Sequence, residues 1–423
     1  MKPSRLVHKI KSPSGRQRRT FLIVSAAGFF NNYDGALLNL ALSQIQAGLK
    51  IGEAAIGPVV SMITLGTVLS PLITSQADRY GRRRLLLLAL AGCSLLSGLS
   101  AFSWNAASFI GFKFFTTAFA SVEGSIAIVI LVEEVNADSR GLALGLLAAI
   151  SASGYALAAI GFAGIAIFPF GWRGLFILSF IPLLLIVPLW RMMPESSRYE
   201  KSRDSMRQQG FLAPFNALFR TYPRRFAMIA GVMFLNAMGG TPGGLMQSKY
   251  LQQAHGWTPQ EVAILMLGGG AVGVLGNIIA GHLSDHLGRR IVGPVFLIAA
   301  PLLGALFFNL SGAFVAAAWI GALFSQTAGS TVLNTFSAEL FPTSHRSTAE
   351  SVIAVAGTIG GSASLFIEGW LYTVTGSHWH AVTVLMSASI LAGIGVAIFY
   401  PETAGSELEA ISPERDIPKR RRA

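Results

Sequence analysis

Three ionisable residues lie inside long apolar stretches of the sequence. Asp34 stands in NNYDGALLN, and Lys113 and Glu123 stand in FKFFTTAFASVEGS. A charge at the centre of a bilayer costs about 2.5–3.5 kcal/mol on insertion scales, so such residues usually face a cavity and have a function. Burial favours a neutral carboxyl group and a nearby ammonium favours a carboxylate, so a conformational change can drive proton uptake or release. The three residues predict proton coupling inside a membrane, with a purely structural ion pair as the alternative.

The composition excludes a water-soluble globular protein. Of the 423 residues, 52% are hydrophobic and 12% are charged, whereas about 25% are charged in an ordinary soluble domain. A membrane-spanning helix needs about 20 mostly apolar residues. Twelve segments qualify, and they begin near Thr20, Ile56, Leu85, Ala107, Gly141, Trp172, Phe226, Thr258, Ile291, Phe314, Ser347 and Ala381. The one cysteine, Cys93, permits no intrachain disulfide and no thiolate metal site.

The distribution of basic residues predicts the orientation of these spans. When the chain is threaded alternately across a bilayer, all Lys and Arg residues fall on one side except Lys50, Lys113, Arg173 and Lys249. The positive-inside rule makes that side the cytoplasm. We therefore expect an integral multi-pass protein of the cytoplasmic (inner or plasma) membrane, with both termini in the cytoplasm. The net charge of +12 then reflects topology and lipid contact, and nucleic acid is not an expected partner.

The sequence also contains an internal repeat. Three pairs of motifs recur at nearly the same offset in the second half of the chain. They are Asp78 and Asp285, 207 residues apart, Glu133–Arg140 and Glu339–Arg346, 206 apart, and Pro194 and Pro401, 207 apart. Since each half has six spans, both copies point the same way across the membrane. The repeat predicts an all-α membrane protein with twelve transmembrane helices in two six-helix bundles.

This organisation divides the chain into five parts. We expect a basic cytoplasmic tail at 1–20, an N-terminal bundle at 21–190 and a cytoplasmic linker at 191–225. The C-terminal bundle is expected at 226–400, followed by a second cytoplasmic tail at 401–423.

The loop motifs resemble those of the major facilitator superfamily. The sequence has D-R-x-G-R-R after the second span, E-x6-R-G after the fourth and P-E-S-x-R after the sixth. Within the superfamily, the pattern is similar to the sugar porters and the metabolite and aromatic-acid proton symporters. The resemblance runs from about Tyr33 to Leu408, and it implies transport by alternating access.

The resemblance implies that the cytoplasmic charged motifs form a latch between the bundles. Arginine–carboxylate bonds suit a latch because they are directional and reversible. The alternative is that the arginines only set the topology. The implied latch residues are Asp78, Arg79, Arg82, Glu133, Arg140, Glu195, Arg198, Asp285, Arg289, Glu339, Arg346 and Glu402.

The resemblance also assigns roles inside the membrane. In the resembled families, Y-D in the first span carries the proton-coupling aspartate, which pairs with a basic residue ten positions before the G-E of the fourth span. Asp34, Lys113 and Glu123 stand at those positions, with Lys in place of the usual Arg. Other polar residues could line the substrate cavity or form hydrogen bonds between helices. They are Asn31, Asn39, Tyr155, Asn236, Gln247, Gln326, Asn334 and Glu368. The stretch GGTPGG at 239–244 predicts either a broken helix or a kink.

These observations favour a transporter over an enzyme. The sequence has no G-x-S-x-G, H-E-x-x-H or P-loop motif, so no reaction chemistry, cofactor or metal is expected. The function we expect is proton-coupled symport of a small polar metabolite, with an organic acid favoured because of Lys113, by a protein that acts as a monomer. The alternatives are a proton-driven exporter, a sugar/proton symporter, a passive facilitator and a sensor that binds ligand without transport.

Overall fold

The computed structural model describes residues 15–76, 81–135, 140–192, 218–342 and 346–404, together with residue 411. Within these residues the regular secondary structure is entirely helical. Four residues of the expected latch, Asp78, Arg79, Glu195 and Arg198, lie outside the described residues. Arg140 and Arg346 each begin a helix.

Among the described residues, twelve long helices occupy the positions that the hydropathy pattern predicts. In the first half of the chain they are α1 (Gly15–Leu40), α2 (Glu53–Thr74), α3 (Arg82–Ser100), α4 (Ala106–Glu134), α5 (Arg140–Ala163) and α6 (Trp172–Arg191). In the second half they are α7 (Pro223–His255), α8 (Pro259–Leu287), α9 (Arg289–Phe307), α10 (Phe314–Glu339), α11 (Arg346–Thr375) and α12 (His378–Phe399). A short helix, Leu42–Leu49, follows α1.

Ten of these helices, among the residues described, are long and apolar enough to cross a membrane. The two that are not, α1 and α10, are each 26 residues long, so their length is sufficient and their polarity sets them apart. Asn31, Asn32 and Asp34 lie in α1, and Gln326 and Asn334 lie in α10. Such side chains are costly against lipid, so both helices are suited to lining polar space inside a bundle.

The chain forms two compact units. Unit 1 comprises Met1–Ile51, Met62–Gln209 and Trp257–Ala263, and unit 2 comprises Gly52–Ser61, Gly210–Gly256 and Ile264–Ala423. Each unit therefore contains most of one expected bundle. The beginning of α2 is grouped with unit 2, and the beginning of α8 is grouped with unit 1.

The helix pairing within unit 1 recurs within unit 2. In unit 1, α1 packs against α5 and α3 packs against α4; in unit 2, α7 packs against α11 and α9 packs against α10. A glycine permits the closest approach in each copy. A Cβ atom at Gly154 of α5 would collide with the carbonyl oxygen of Phe29, and one at Gly360 of α11 would collide with that of Phe234. The internal repeat of the sequence is thus also a repeat of helix contacts.

Replacement of Gly154 by alanine tests this close contact. We expect Gly154→Ala to destabilise the protein by about 1–3 kcal/mol, because overpacking forces the helices apart. Gly145→Ala on the same helix is the matched control, since nothing lies within 4 Å of its Cβ position. Thermal unfolding of the purified variants in detergent would measure both changes. Equal stability of the two variants would contradict the interpretation.

Candidate functional site

A buried ion pair joins α1 to α4 inside unit 1. The Lys113 Nζ atom donates hydrogen bonds to both carboxylate oxygens of Asp34, at 2.8 and 3.0 Å. The Ser97 hydroxyl of α3 donates to the same carboxylate. Asp34 is 5% exposed and Lys113 is 1% exposed, and the ammonium lies 5.2 Å from the centre of the Phe176 ring. Two opposite charges are therefore held together away from water, where their attraction is strong.

The same carboxylate borders a small cavity in unit 1. The cavity is lined by α1, α3, α4 and α6. Asn31, Ser94 and Ser179 contribute polar groups to its wall, together with Asp34 and Glu123. Two acidic side chains, from different helices, thus share one enclosed space.

Glu123 differs from Asp34 in having no ion pair with a cation among the described residues. The residue is 1% exposed, and neither carboxyl oxygen has a hydrogen-bond partner among the described residues. The amide nitrogen of Asn31, on the opposite wall, donates to the Ala120 carbonyl at 2.7 Å. A buried carboxylate without a donor or a cation is strongly disfavoured relative to the neutral acid. Glu123 is therefore suited to hold a proton.

A larger cavity lies in unit 2. Helices α7, α9, α10 and α12 line it. The amides of Asn236, Gln247 and Gln326 reach it, together with aromatic rings that include Trp319. The Trp319 Nε1 atom donates to the Gln247 Oε1 atom at 2.7 Å. The lining side chains include no charged group among the described residues, so the cavity combines flat apolar surfaces with neutral hydrogen-bonding groups.

The glycine-rich stretch of α7 forms one wall of this cavity without breaking the helix. The expected break at 239–244 is absent, since α7 runs from Pro223 to His255 and includes Pro242. Packing against α11 and α12 holds the helix, and membrane helices tolerate proline because neighbouring groups satisfy the freed backbone. The four glycines of the stretch all line the cavity. A Cβ atom at Gly239 would collide with Ser389 and one at Gly243 with Met386, so these glycines let α12 pack closely against α7.

The remaining polar residues of the expected cavity lie elsewhere. Asn39 and Tyr155 are half-buried, and Asn334 is exposed. These three line neither cavity. Glu368 is fully buried and contacts His378. The eight polar residues singled out from the sequence are therefore distributed over several places and do not converge on one cavity.

Arginine–carboxylate clusters repeat at equivalent positions in the two units. In unit 1, Arg82 at the start of α3 pairs with Glu133 near the end of α4. In unit 2, Arg289 pairs with Glu339 at the end of α10 and, at 3.3 Å, with Asp285. These residues belong to the motifs from which the latch was expected, and the pairs described here each lie within one unit.

Glu402 joins the cluster of unit 2 through the backbone. Its Oε1 and Oε2 atoms accept hydrogen bonds from the N–H groups of Arg289, at 2.9 Å, and Arg290, at 3.0 Å. Partial burial raises the pKa of this carboxyl group, but bonds from four backbone N–H groups outweigh burial and leave the pKa below its ordinary value. The carboxylate thus stabilises the start of α9, where unpaired N–H groups attract negative charge.

Sequence reasoning missed one group of buried ionisable residues. Lys249 and His378 each contact Glu53, and His378 also contacts Glu368. The available signal was Lys249, a basic residue on the side of the membrane where few are expected. Glu53 and His378 are each the first residue of a helix, and neither was singled out from the sequence.

Removal of the ammonium tests the ion pair in unit 1. We expect Lys113→Met to destabilise the protein by about 3–5 kcal/mol, because it leaves Asp34 as an uncompensated buried charge. The double variant Asp34→Asn/Lys113→Met removes both charges and should regain most of that loss. Thermal unfolding in detergent at neutral pH would measure both. Equal destabilisation of the single and double variants would contradict a charge-based explanation.

Comparisons with known proteins agree with this architecture. The family model described as Major Facilitator Superfamily matches residues 24–247 and 228–422. A probable 4-methylmuconolactone transporter of Cupriavidus pinatubonensis is 25% identical over 412 residues, covering 95% of this chain and 94% of that protein. The cis,cis-muconate transport protein of Acinetobacter baylyi is 27% identical over 395 residues, covering 90% of this chain and 94% of that protein.

A likeness to a solved structure supports the fold alone. A crystal structure of a D-xylose–proton symporter superposes with a TM-score of 0.76 at 16% identity, covering 92% of this chain and 99% of that one. The curated relatives are transporters and not enzymes. The chain is therefore a multi-pass membrane transporter, and it belongs to the Major Facilitator Superfamily.

Proposed function

We propose that the chain is a proton-coupled symporter that imports a small organic acid by alternating access. The observation that carries this proposal is the buried Asp34–Lys113 ion pair beside the unpartnered Glu123. When Asp34 takes up a proton, its attraction for Lys113 weakens and the ammonium becomes available to an anionic group. When the proton leaves, the ion pair forms again. This exchange of partners couples proton binding to conformation.

The unit 2 cavity supports an unsaturated organic acid as the substrate class. The N–H groups of its amides can donate hydrogen bonds to carboxylate oxygens. Trp319, Phe307 and Phe308 offer flat surfaces to a conjugated carbon skeleton. Two relatives are named for transport of cis,cis-muconate and, as a probable function, of 4-methylmuconolactone. We propose that this chain takes a molecule of the same class.

The charge distribution supports the proposed orientation. We propose that the membrane is the cytoplasmic one, that both chain ends face the cytoplasm, and that 21–190 and 226–400 act as the two moving bundles. The Arg82–Glu133 and Arg289–Glu339 pairs would then lie at the cytoplasmic ends of the helices. We propose that they belong to the latch, and that the protein acts as a monomer.

Asp34→Asn tests proton coupling. We expect this variant to lose accumulation of cis,cis-muconate against its gradient in proteoliposomes with an imposed pH gradient, because the amide cannot take up a proton. Exchange of internal for external substrate, which needs no net proton movement, should survive. Glu261→Gln is the control, since Glu261 is an exposed acid that bonds only to Thr258. Accumulation by Asp34→Asn at the level of the unchanged protein would refute the coupling role.

Trp319→Phe tests the unit 2 cavity. The change keeps an aromatic ring but removes the donor to Gln247, so we expect KM for the transported acid to rise about threefold to tenfold, the effect of one hydrogen bond. Trp370→Phe is the control because Trp370 is 61% exposed. Initial rates of uptake would give both KM values. An unchanged KM in Trp319→Phe would exclude this cavity as the binding site.

The direction of transport requires its own measurement. The proton-driven exporter and the importer share the same helices, so we propose flux measurements in right-side-out and everted membrane vesicles. A symporter accumulates substrate when protons are driven in the same direction, and an exporter accumulates it when they are driven in the opposite direction. Competition by sugars in the same assay tests the sugar/proton alternative.

A further inference from the structure

The beginning of α2 carries one member of a second buried ionisable cluster, which lies entirely in unit 2. The Lys249 ammonium of α7 donates to the Glu53 carboxylate. The Nε2 atom of His378, at the start of α12, lies 2.9 Å from the same oxygen, Oε2 of Glu53. The other ring nitrogen of His378 contacts the Glu368 carboxylate of α11. We call these four residues the Glu53 cluster.

Three members of the Glu53 cluster are removed from water. Lys249 and Glu368 are 0% exposed and His378 is 4% exposed, whereas Glu53 is half-buried. Tyr372 of α11 stacks on the imidazole, with ring centres 4.2 Å apart. Glu53, Glu368 and Tyr372 are thus the titratable groups in direct contact with His378, and Lys249 reaches it through Glu53.

The hydrogen-bond geometry requires one more proton than neutral histidine carries. Neutral imidazole has a single N–H donor, and its second nitrogen is an acceptor. In the Glu53 cluster both nitrogens face carboxyl oxygens, at Glu368 and at Glu53. If both acids were ionised, one contact would bring two acceptors together. We propose that the Glu53 cluster is a proton-binding site, in which one extra proton makes both contacts hydrogen bonds.

Charge balance supports the same count of protons. With two carboxylates, one ammonium and a neutral imidazole, the cluster has a formal charge of −1. One bound proton makes it neutral, which is the favoured condition for a buried group of charges. The positive end of the α12 dipole disfavours an imidazolium at His378, so the proton is shared with the adjoining carboxyl groups. The total charge of the Glu53 cluster is the same whichever of these groups carries the proton.

Protonation of the Glu53 cluster can affect helix packing, because the cluster lies where α2 and α11 cross closely. A Cβ atom at Gly57 would collide with the Leu365 carbonyl oxygen, and one at Gly369 would collide with Pro58. The Ser61 hydroxyl donates to the Ser362 carbonyl at 2.7 Å. Backbone contacts therefore hold segment Gly52–Ser61 against α11, and we call this arrangement the clasp. The Glu53 cluster lies at one end of it.

The direction of the pH effect follows from linkage. The clasped state binds a proton that the released state does not hold as tightly, so low pH favours the clasp and rising pH releases it. Release means that segment Gly52–Ser61 separates from α11 and α12. The site is distinct from the one at Asp34, since it is formed by different residues, which are grouped in the other unit.

Thiol accessibility at position 61 tests this clasp. In the purified full-length protein carrying Cys93→Ser and Ser61→Cys, we expect slow labelling by a small maleimide at low pH, because residue 61 is 5% exposed. At high pH we expect labelling of position 61 to be at least about tenfold faster than at low pH. A cysteine at the exposed position 102 in a matched protein should show no such increase, once each rate is corrected for its thiolate fraction. The range from about pH 5 to about pH 8 is the one in which histidines most often change charge.

One substitution should remove the pH dependence while keeping the clasp. In Glu368→Gln, an amide that can donate to the Nδ1 atom of His378 replaces the carboxylate, so both contacts of His378 can be satisfied without an extra proton. Glu53 must stay an acceptor, because Lys249 and His378 both contact its Oε2 atom. We expect labelling to stay slow at both pH values. His378→Ala leaves two carboxylates with one ammonium, and we expect fast labelling at both pH values. His380→Gln is the control and should behave like the unchanged cluster, since His380 is exposed.

Hydrogen exchange gives a second measurement of the clasp that needs no cysteine. It follows the amide protons of peptides covering 52–61, with exchange times scaled for the pH dependence of the chemical exchange rate. Slow exchange and slow labelling at every pH in the unchanged cluster would overturn the proposal. So would a pH dependence that persists in Glu368→Gln. Because neither readout involves transport, these results are separate from a failure of the proposed symport.

Discussion

The free-energy cost of burying charge in a membrane is the constraint on which the rest of this structure depends. An ionised group placed in a medium of low dielectric is stable only beside an opposite charge or several hydrogen-bond donors. The protein meets this requirement at two places among the described residues. Asp34 pairs with Lys113 in unit 1, and Lys249 pairs with Glu53 in unit 2. Each pair ties together helices that are distant in the sequence.

The same constraint makes these places suited to proton chemistry. Glu123 and Glu368 are both fully buried acids, and each has at least one oxygen without a hydrogen-bond partner among the described residues. A group in such surroundings gains or loses a proton when its neighbours move, since small changes in distance change the electrostatic energy greatly. The proposed symport and the proposed proton-binding clasp both use this property, in separate units of the chain.

The duplication of the sequence has a physical counterpart in close helix contacts. Gly154 and Gly360 occupy equivalent crossings, at which a side chain would collide with the carbonyl oxygen of a phenylalanine. Small residues let membrane helices approach, because lipid offers no hydrophobic force to bring them together. Arg82–Glu133 and Arg289–Glu339 repeat in the same way at helix ends. The repeated motifs are therefore those that determine how neighbouring helices meet.

The sequence by itself determined where the long helices lie, because a run of about 20 apolar residues is a local pattern. Its charged loop motifs, which recur in both halves of the chain, indicated the family. It also singled out Asp34 and Lys113, since a charge in an apolar run is conspicuous. Only the tertiary structure decided that Asn236, Gln247 and Gln326 share a cavity while Asn334 and Glu368 lie elsewhere. Likewise, nothing local connects Glu53 with His378, which are 325 residues apart. Which side chains meet depends on how helices far apart in the sequence pack against one another. A linear sequence pattern does not contain the distances between those helices.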